Sequence, residues 1–511
     1  MLGMHSRESR IALACAGALL VGACGSRTED AAAGPRVSGP PPDIILVSID
    51  SLRFDHLGCY GYEKPTSPNI DRIAKEGVRC ASAVSTTSWT LPAHAALLTG
   101  LFDSTHGLVD NGLRLTEERP TLAAVLRGNG YQTGGFFGGP YLDPGFGFGH
   151  GFMHYESCMS PLPNDSTGRE STAAPDSSSH PSSTTSSGSA ASSDALPTRA
   201  DLERSHSDIT GSRTLEAVTR WLGREVDQRP LFLFVHLWDV HYDYNPPREY
   251  VETFDPGYAG ALDASNLMKN PAVNAHMAPR DFDHLVALYD GEIRFTDDIL
   301  GRILSVVEKR GRMSNTLLVI TADHGEEFFE HGGKGHQRTL FDEVVRVPLI
   351  VRWPGHLEAG RVVGEEVRLV DLMPTILASA GITKQPIMQG RDILALLRGE
   401  KLPAAPALCE LMVDDNDVHA LRTNAFKVID YLPVNTTQGY DLVMDPRELR
   451  PIPDTVARVQ AAKGDLERAL EGCAALRKKI GESVQPAAAG EDVRRRIRGL
   501  GYGGDERARP K

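Results

Sequence analysis

Four apolar runs stand out along the chain: Asp43 to Asp50, Leu231 to His236, Thr316 to Thr321 and Pro348 to Val351. Each is short and rich in Ile, Val, Leu or Phe, the pattern of strands buried on both faces. Between them the period changes. Leu122, Val125 and Leu126 share one helical face, and so do Ile299, Ile303, Val306 and Val307. Further on, Val456, Val459, Leu466, Leu470, Cys473, Leu476 and Ile480 follow approximately helical spacing. Strands alternating with helices predict an α/β sheet with helices on both faces.

Other stretches carry no such pattern. From Pro163 to Ala195 the only apolar side chains are Ala and Pro. That segment cannot offset its ordering entropy by burial, so residues 163–195 read as a disordered, Ser/Thr-rich insertion. At the start, Arg7 and Arg10 precede the apolar run Ile11 to Ala23. The run is too short to span a bilayer comfortably and reads as the core of a secretory signal. It ends Leu20-Val21-Gly22-Ala23-Cys24, which resembles a bacterial lipobox. Residues 1–23 are then a lipoprotein signal peptide, Cys24 is the lipidated residue, and residues 24–42 are a tether. The expected location is the bacterial cell envelope, with the exported protein anchored to a membrane through Cys24.

Composition narrows the function classes. A chain of 511 residues that is 41% hydrophobic can bury a large core, which excludes disorder throughout and a small disulfide scaffold. With 67 acidic against 54 basic residues the net charge is −13, and no nucleic-acid partner is expected. Outside the signal and Cys24, the thiols are Cys59, Cys80, Cys158, Cys409 and Cys473. Their odd number means that at least one cannot pair within the chain. No later stretch approaches 18 uninterrupted apolar residues, so no other membrane span is expected.

The candidate chemistry sits at strand ends. Asp50 closes the first run and Asp323 follows the third, and open α/β sheets bind ligands beyond the carboxyl ends of their strands. His324 comes next, so two carboxylates and an imidazole can meet at a divalent metal. A third segment runs Ser88-Trp89-Thr90-Leu91-Pro92-Ala93-His94 and on to Gly100. Pro92 suits the first turn of a helix and Gly100 its end, which puts Thr90 at an anion-attracting N-terminus. There Thr90 is either a metal-activated nucleophile or a plain N-cap residue.

These segments, taken together, resemble the sulfatase family of the alkaline phosphatase superfamily. The resemblance rests on Asp50-Ser51-Leu52-Arg53, Leu57-Gly58-Cys59-Tyr60-Gly61, Thr90-Leu91-Pro92-Ala93-His94 and Leu97-Leu98-Thr99-Gly100. It continues through His106-Gly107, Asp110-Asn111-Gly112, Asp323-His324-Gly325-Glu326, Val345 to Val351 and Tyr440-Asp441-Leu442. It implies an alkaline-phosphatase-like three-layer sandwich with a mostly parallel central sheet, plus a smaller C-terminal α+β subdomain. Residues 43–400 would form the catalytic domain, 401–451 the subdomain, 452–483 a packing helix and 484–511 a flexible tail in which Arg494, Arg495, Arg496 and Arg498 are solvated.

The resemblance also implies a ligand set and roles. Asp50, Thr90, Asp323 and His324 would hold one divalent metal, with a second site drawing on Asp239, His241 and His336. Thr90 would attack, Lys334 would neutralise transferring oxygens and His336 would protonate the leaving group, while Asn111 and His241 would contact substrate. Asp239 and His236 also admit a structural reading, and Glu327, His331 and Cys59 read as structural. Formylglycine sulfatases carry Cys or Ser where this chain has Thr90, and Arg where it has His94, so no formylglycine is expected. They also place two adjacent Asp where this chain has Asp50-Ser51. Fewer carboxylates and an added imidazole favour Mn²⁺ or Zn²⁺, with Ca²⁺ as the alternative.

The expected activity is metal-dependent hydrolysis of a sulfate or phosphate ester, phosphate being favoured by Thr90, because Thr-nucleophile relatives act on phosphodiesters. Two alternatives remain at this stage: a phosphoglycerol- or phosphoethanolamine-type transferase, and a catalytically silent surface binding protein.

Overall fold

The computed structural model describes residues 39–161, 208–224, 228–413 and 416–500. The signal peptide, Cys24, most of the tether and the 163–195 insertion lie outside the described residues.

An eight-stranded sheet forms the centre. Across it the strands run Arg361–Arg368, Val78–Val84, Arg346–Arg352, Thr316–Ala322, Asp43–Ile49, Leu231–Leu237, Gln132–Phe137 and His154–Ser157. Arg346–Arg352 alone among them runs antiparallel to its neighbours. Every residue of Asp43–Ile49, Leu231–Leu237 and Thr316–Ala322 is buried, which is why those strands read as unbroken apolar runs. Helices Pro68–Glu76, Gly211–Arg224 and Pro279–Glu308 pack together as one layer. Thr90–Thr99, Leu122–Gly128 and Leu372–Ser379 form another.

A second, antiparallel sheet is built from Ala407–Val413, Asn416–Arg422, Phe426–Tyr431, Thr436–Asp441 and Ile452–Pro453. Helix Ala457–Ile480 lies along it and buries the stripe Val459, Leu466 and Cys473. Ala96 joins the same cluster as Leu408, Leu421, Phe426 and Val428. The Thr90–Thr99 helix is therefore enclosed, and all ten of its residues are buried. Such a helix must be apolar on every side except where a polar group has a task.

The two sheets are also joined by buried ions. Asp342 pairs with Arg422 at 2.7 Å and Lys427 at 2.9 Å, and Lys427 reaches Glu448 at 2.8 Å. Arg422 pairs in addition with Glu366.

The flexible tail expected over 484–511 is corrected as far as Leu500. Val484–Pro486 pairs with Leu113–Leu115, and helix Glu491–Gly499 buries Ile497 beside Leu500. The apolar Ile497 and Leu500 hold this segment against the body, and three of its arginines are internally engaged. Arg496 lies 3.8 Å from Asp208, Arg498 pairs with Glu491 at 2.5 Å and Arg495 with Asp492 at 3.4 Å. Among the described residues no helix is long and apolar enough to cross a membrane, and no disulfide joins any of the five described cysteines.

Candidate active site

Three adjacent strands deliver the site. Ser48 pairs with His236 on one side and Thr321 on the other. Side chains alternate with a period of two, so Ser48, His236 and Thr321 share a face, and Asp50 and Asp323 continue it beyond the strand ends. The chain then turns sharply. Ser51 sits at φ 52°, a left-handed conformation uncommon for a residue with a Cβ. Three bonds hold it there: its N–H donates to Asp323 Oδ1 (3.2 Å), its hydroxyl to Asp50 Oδ1 (2.7 Å), and its carbonyl accepts from Tyr289 (2.8 Å). The Asp323-His324 turn is fixed by Gly325, where any side chain would collide with the Glu343 carbonyl.

Asp50, Asp323 and His324 each present a ligand atom, all within 4.8 Å of one another and all buried. Thr90 Oγ1 lies 3.3 Å from Asp50 Oδ2 and 3.4 Å from His324 Nε2. Thr90 opens the helix, with Trp89 at the cap position and no side chain capping the exposed N–H groups. The plain N-cap reading of Thr90 is thereby overturned: its hydroxyl faces the carboxylates. At the far end Gly100 takes φ 67° and closes the helix.

The residues fit a divalent cation. Asp323 Oδ1 accepts N–H bonds from Ser51 (3.2 Å) and His324 (2.9 Å), whereas Oδ2 makes none and faces His324 Nε2 at 3.5 Å. Donor separations of 3.3–3.9 Å are near the roughly 3.3 Å edge of ligands about 2.0 Å from a tetrahedral zinc.

The two carboxylates are also driven apart in acidity. Burial raises both, but around Asp50 the imidazoles of His236, His241 and His324 outweigh it and hold that carboxyl well below its usual range. Asp323 is pushed up to about 6 by burial and by the charge of Asp50. A cation between them would relieve that repulsion.

Histidines surround the cluster. His94 Nδ1 meets the Thr90 carbonyl at 2.9 Å and Nε2 meets Ser48 Oγ at 3.0 Å, so this ring ties the helix to the strand beneath Thr90. Burial, with the neighbouring His236, lowers it to about 3. His236 Nε2 lies 3.3 Å from Asp50 Oδ2. His241 stacks on Trp238 at 3.8 Å and faces His336 across 5.0 Å. The His336 ring lies 4.3 Å from that of His324, and its Nδ1 meets Glu326 Oε1 at 3.0 Å. Glu326 accepts in turn from Tyr244 at 2.9 Å. Burial lowers His241 to about 4, and burial together with His324 and His241 lowers His336 well below its usual range.

Not every expected residue joins this group. Asp239 accepts from the N–H and hydroxyl of Thr210 and thereby holds the start of helix Gly211–Arg224. The expected second metal site thus lacks its carboxylate, because Asp239 is occupied in capping. The Lys334 ammonium donates to the carbonyls of Asn270 (3.2 Å) and Val273 (2.6 Å), which ties its loop to the 263–277 segment. Asn111 lies in the turn between Asp110 and Leu113, beside the C-terminal segment at Ala487, and no hydrogen bond joins it to the cluster among the described residues. His331 stacks on Phe341 and pairs with Glu343, while Glu327 accepts from Gly333, so both are structural. Cys59 is half-buried, its thiol pushed up to about 12 by burial.

The expected residues therefore separate into a compact group (Asp50, Thr90, His94, Asp323, His324, with His241 and His336 beside it) and three others: Asp239 and Lys334, bonded elsewhere, and Asn111, which sits in its turn. Ser51, Glu326 and Tyr244 were not foreseen. His236, for which a functional and a structural reading both stood open, had a signal: an ionisable residue inside a strand buried on both faces.

Known proteins resemble this chain. The sulfatase family model matches residues 42–382, and a model described as N-sulphoglucosamine sulphohydrolase, C-terminal, matches residues 330–475. An uncharacterized sulfatase of Escherichia coli K12 is 26% identical over 436 residues, covering 81% of this chain and 84% of that protein. An N-acetylglucosamine-6-O-sulfatase of Bacteroides thetaiotaomicron is 24% identical, covering 80% and 82%. Among solved structures, a phosphonate monoester hydrolase of Agrobacterium radiobacter superposes with a TM-score of 0.64 at 23% identity, covering 86% of this chain and 96% of that one. With two thirds of its length matched by the family model, this chain belongs to the sulfatase family, hydrolases of sulfuric and phosphoric esters.

Proposed function

We propose that this protein hydrolyses phosphate or phosphonate esters through a covalent intermediate on Thr90. The observation that carries the reading is the place of the Thr90 hydroxyl, at an uncapped helix N-terminus and 3.3 Å from Asp50 Oδ2. The backbone N–H groups there attract an anionic ester. A divalent cation held by Asp50, Asp323, His324 and Thr90 would lower the pKa of the hydroxyl and offset charge on the ester. Asp50 Oδ2 is positioned to take the hydroxyl proton. Thr90 Oγ1 then bonds to phosphorus as the bond to the alcohol oxygen breaks, and a water later cleaves the phosphothreonine.

His336 is assigned to protonating the departing oxygen. Its Nδ1 is turned to Glu326, which orients the ring, and a bound anion would raise its lowered pKa toward a working value. Sulfate esters form the second reading, supported by the names of the relatives. A paired assay with aryl sulfate, phosphate monoester, phosphodiester and phosphonate ester, each with Mn²⁺, Zn²⁺ and Ca²⁺, decides between them. Faster turnover of the phosphorus esters is expected, and turnover confined to the aryl sulfate contradicts the first reading.

The same proposal places the enzyme outside the cytoplasm, tethered through Cys24, supported by the signal-like run Ile11 to Ala23 before it. Replacing Cys24 with Ser should release the protein from membranes; unchanged membrane fractionation contradicts the anchor.

A further inference from the structure

The metal reading leaves one buried group unexplained. His236 is fully buried, and neither of its ring nitrogens makes a hydrogen bond of ordinary geometry among the described residues. Its ring is held edge-on to His94, with centroids 4.7 Å apart. The strand register places it beside Ser48, one step below Asp50 on the same face. From there Nε2 comes within 3.3 Å of Asp50 Oδ2.

The two oxygens of Asp50 then have distinct neighbours. Oδ1 takes the hydroxyl of Ser51 at 2.7 Å, and Oδ2 lies 3.3 Å from both Thr90 Oγ1 and His236 Nε2. His236 lies outside the compact set of donors formed by Asp50, Asp323 and His324. It therefore reaches the metal position through Asp50 rather than directly. We propose that His236 is a positioning residue of the metal site, donating from Nε2 to Asp50 Oδ2 and fixing the carboxylate for cation binding. The inference rests on the reading of Asp50 as a metal ligand.

The chemistry explains why a histidine is useful here. With Ser at position 51 the strand end offers a single carboxylate, so its orientation matters more than where two adjacent carboxylates share a cation. Partners that hydrogen-bond a ligating carboxylate are commonly worth about 10–100-fold in metal affinity or activity. A neutral imidazole can supply that hydrogen bond without adding a positive charge next to the cation.

The test uses the full chain, stripped by chelator and titrated with Zn²⁺ and separately with Mn²⁺ at fixed pH, beside thermal melting of the metal-free protein. His236→Ala should weaken binding of the metal about 10–100-fold. His236→Gln, whose amide N–H can occupy the position of Nε2, should recover most of that affinity, and metal-free melting of this variant should match the wild type. Affinity of His236→Ala within twofold of wild type overturns the inference. So does a loss confined to metal-free melting, which is what a purely structural histidine would produce. A wild-type chain that binds neither ion overturns the metal reading itself, and this inference with it, an outcome distinct from unaltered affinity in the variants.

Discussion

Two clusters of buried charge lie in this molecule, and they are built on opposite principles. Between the two sheets, Asp342, Glu366 and Glu448 are interleaved with Arg422 and Lys427, each anion within ion-pair distance of a cation. At the strand ends, among the described residues, Asp50 and Asp323 have no Lys or Arg paired with them, and Asp323 Oδ2 has no hydrogen bond. The first cluster gives each of its three carboxyl groups a partner among two cations and joins two parts of the fold. The second retains a charge imbalance that a cation would remove. Burial of charge by itself says little; whether the partners are already present separates a fastener from a site.

Substitutions should divide along the same line. The largest expected effect is Thr90→Ala, which should lower kcat at least about 10³-fold, the scale of losing a nucleophile, while the melting temperature stays near wild type. Steady-state kinetics beside thermal melting checks both halves. Lys427→Met should do the reverse. It strands Glu448, while Asp342 keeps Arg422, and breaking a buried pair typically costs about 3–5 kcal/mol, read as a lower urea midpoint. The zinc affinity of the protein that remains folded should be unchanged.

Metal removal comes next. A cation at about 100 times its dissociation constant stabilises the folded state by about 2.7 kcal/mol, so chelation should lower the melting temperature of wild type. In Asp323→Asn the same chelation should produce little shift.

The smallest effect concerns Asp239. Burial raises its carboxyl to about 6. A raised acid binds its proton more tightly when folded, so its contribution is present below its ordinary value near 4 and lost as pH rises through about 6. Asp239→Asn should flatten that pH dependence, worth about 1–3 kcal/mol in denaturant titrations, and leave metal affinity within twofold. A large loss of affinity would return Asp239 to the metal site.

How legible the fold was in the sequence depended on burial. Asp43–Ile49, Leu231–Leu237 and Thr316–Ala322 are central and covered on both faces, so their composition announced them. Val78–Val84, interrupted by Arg79 and Ser82, and Gln132–Phe137, with Gly134 and Gly135, carried no comparable run. Their pairing is set by neighbours distant in sequence. The antiparallel direction of Arg346–Arg352 was equally invisible, because strand composition does not encode direction.

The same rule holds at the site. Asp50, Thr90, Asp323 and His324 stand at the ends of strongly patterned elements, and their convergence could be expected. Lys334, Asn111 and Asp239 lie on turns and loops, where spacing does not determine direction. Lys334 is bonded to loop carbonyls and Asp239 to a helix start, while Asn111 sits in the turn closed by Asp110 and Leu113. The segment beyond residue 483 looked solvated because its arginines are numerous, yet the Val484–Pro486 strand pairing and the buried Ala489, Ile497 and Leu500 hold it.

The account turns on the covalent role of Thr90. Rapid acid quench of the metal-loaded enzyme during turnover of its best ester, followed by peptide mass mapping, tests it most directly. The account predicts a phosphoryl group, or a sulfuryl group from a sulfate ester, on Thr90. Such a group on another residue, or wild-type turnover by Thr90→Ala, would contradict it.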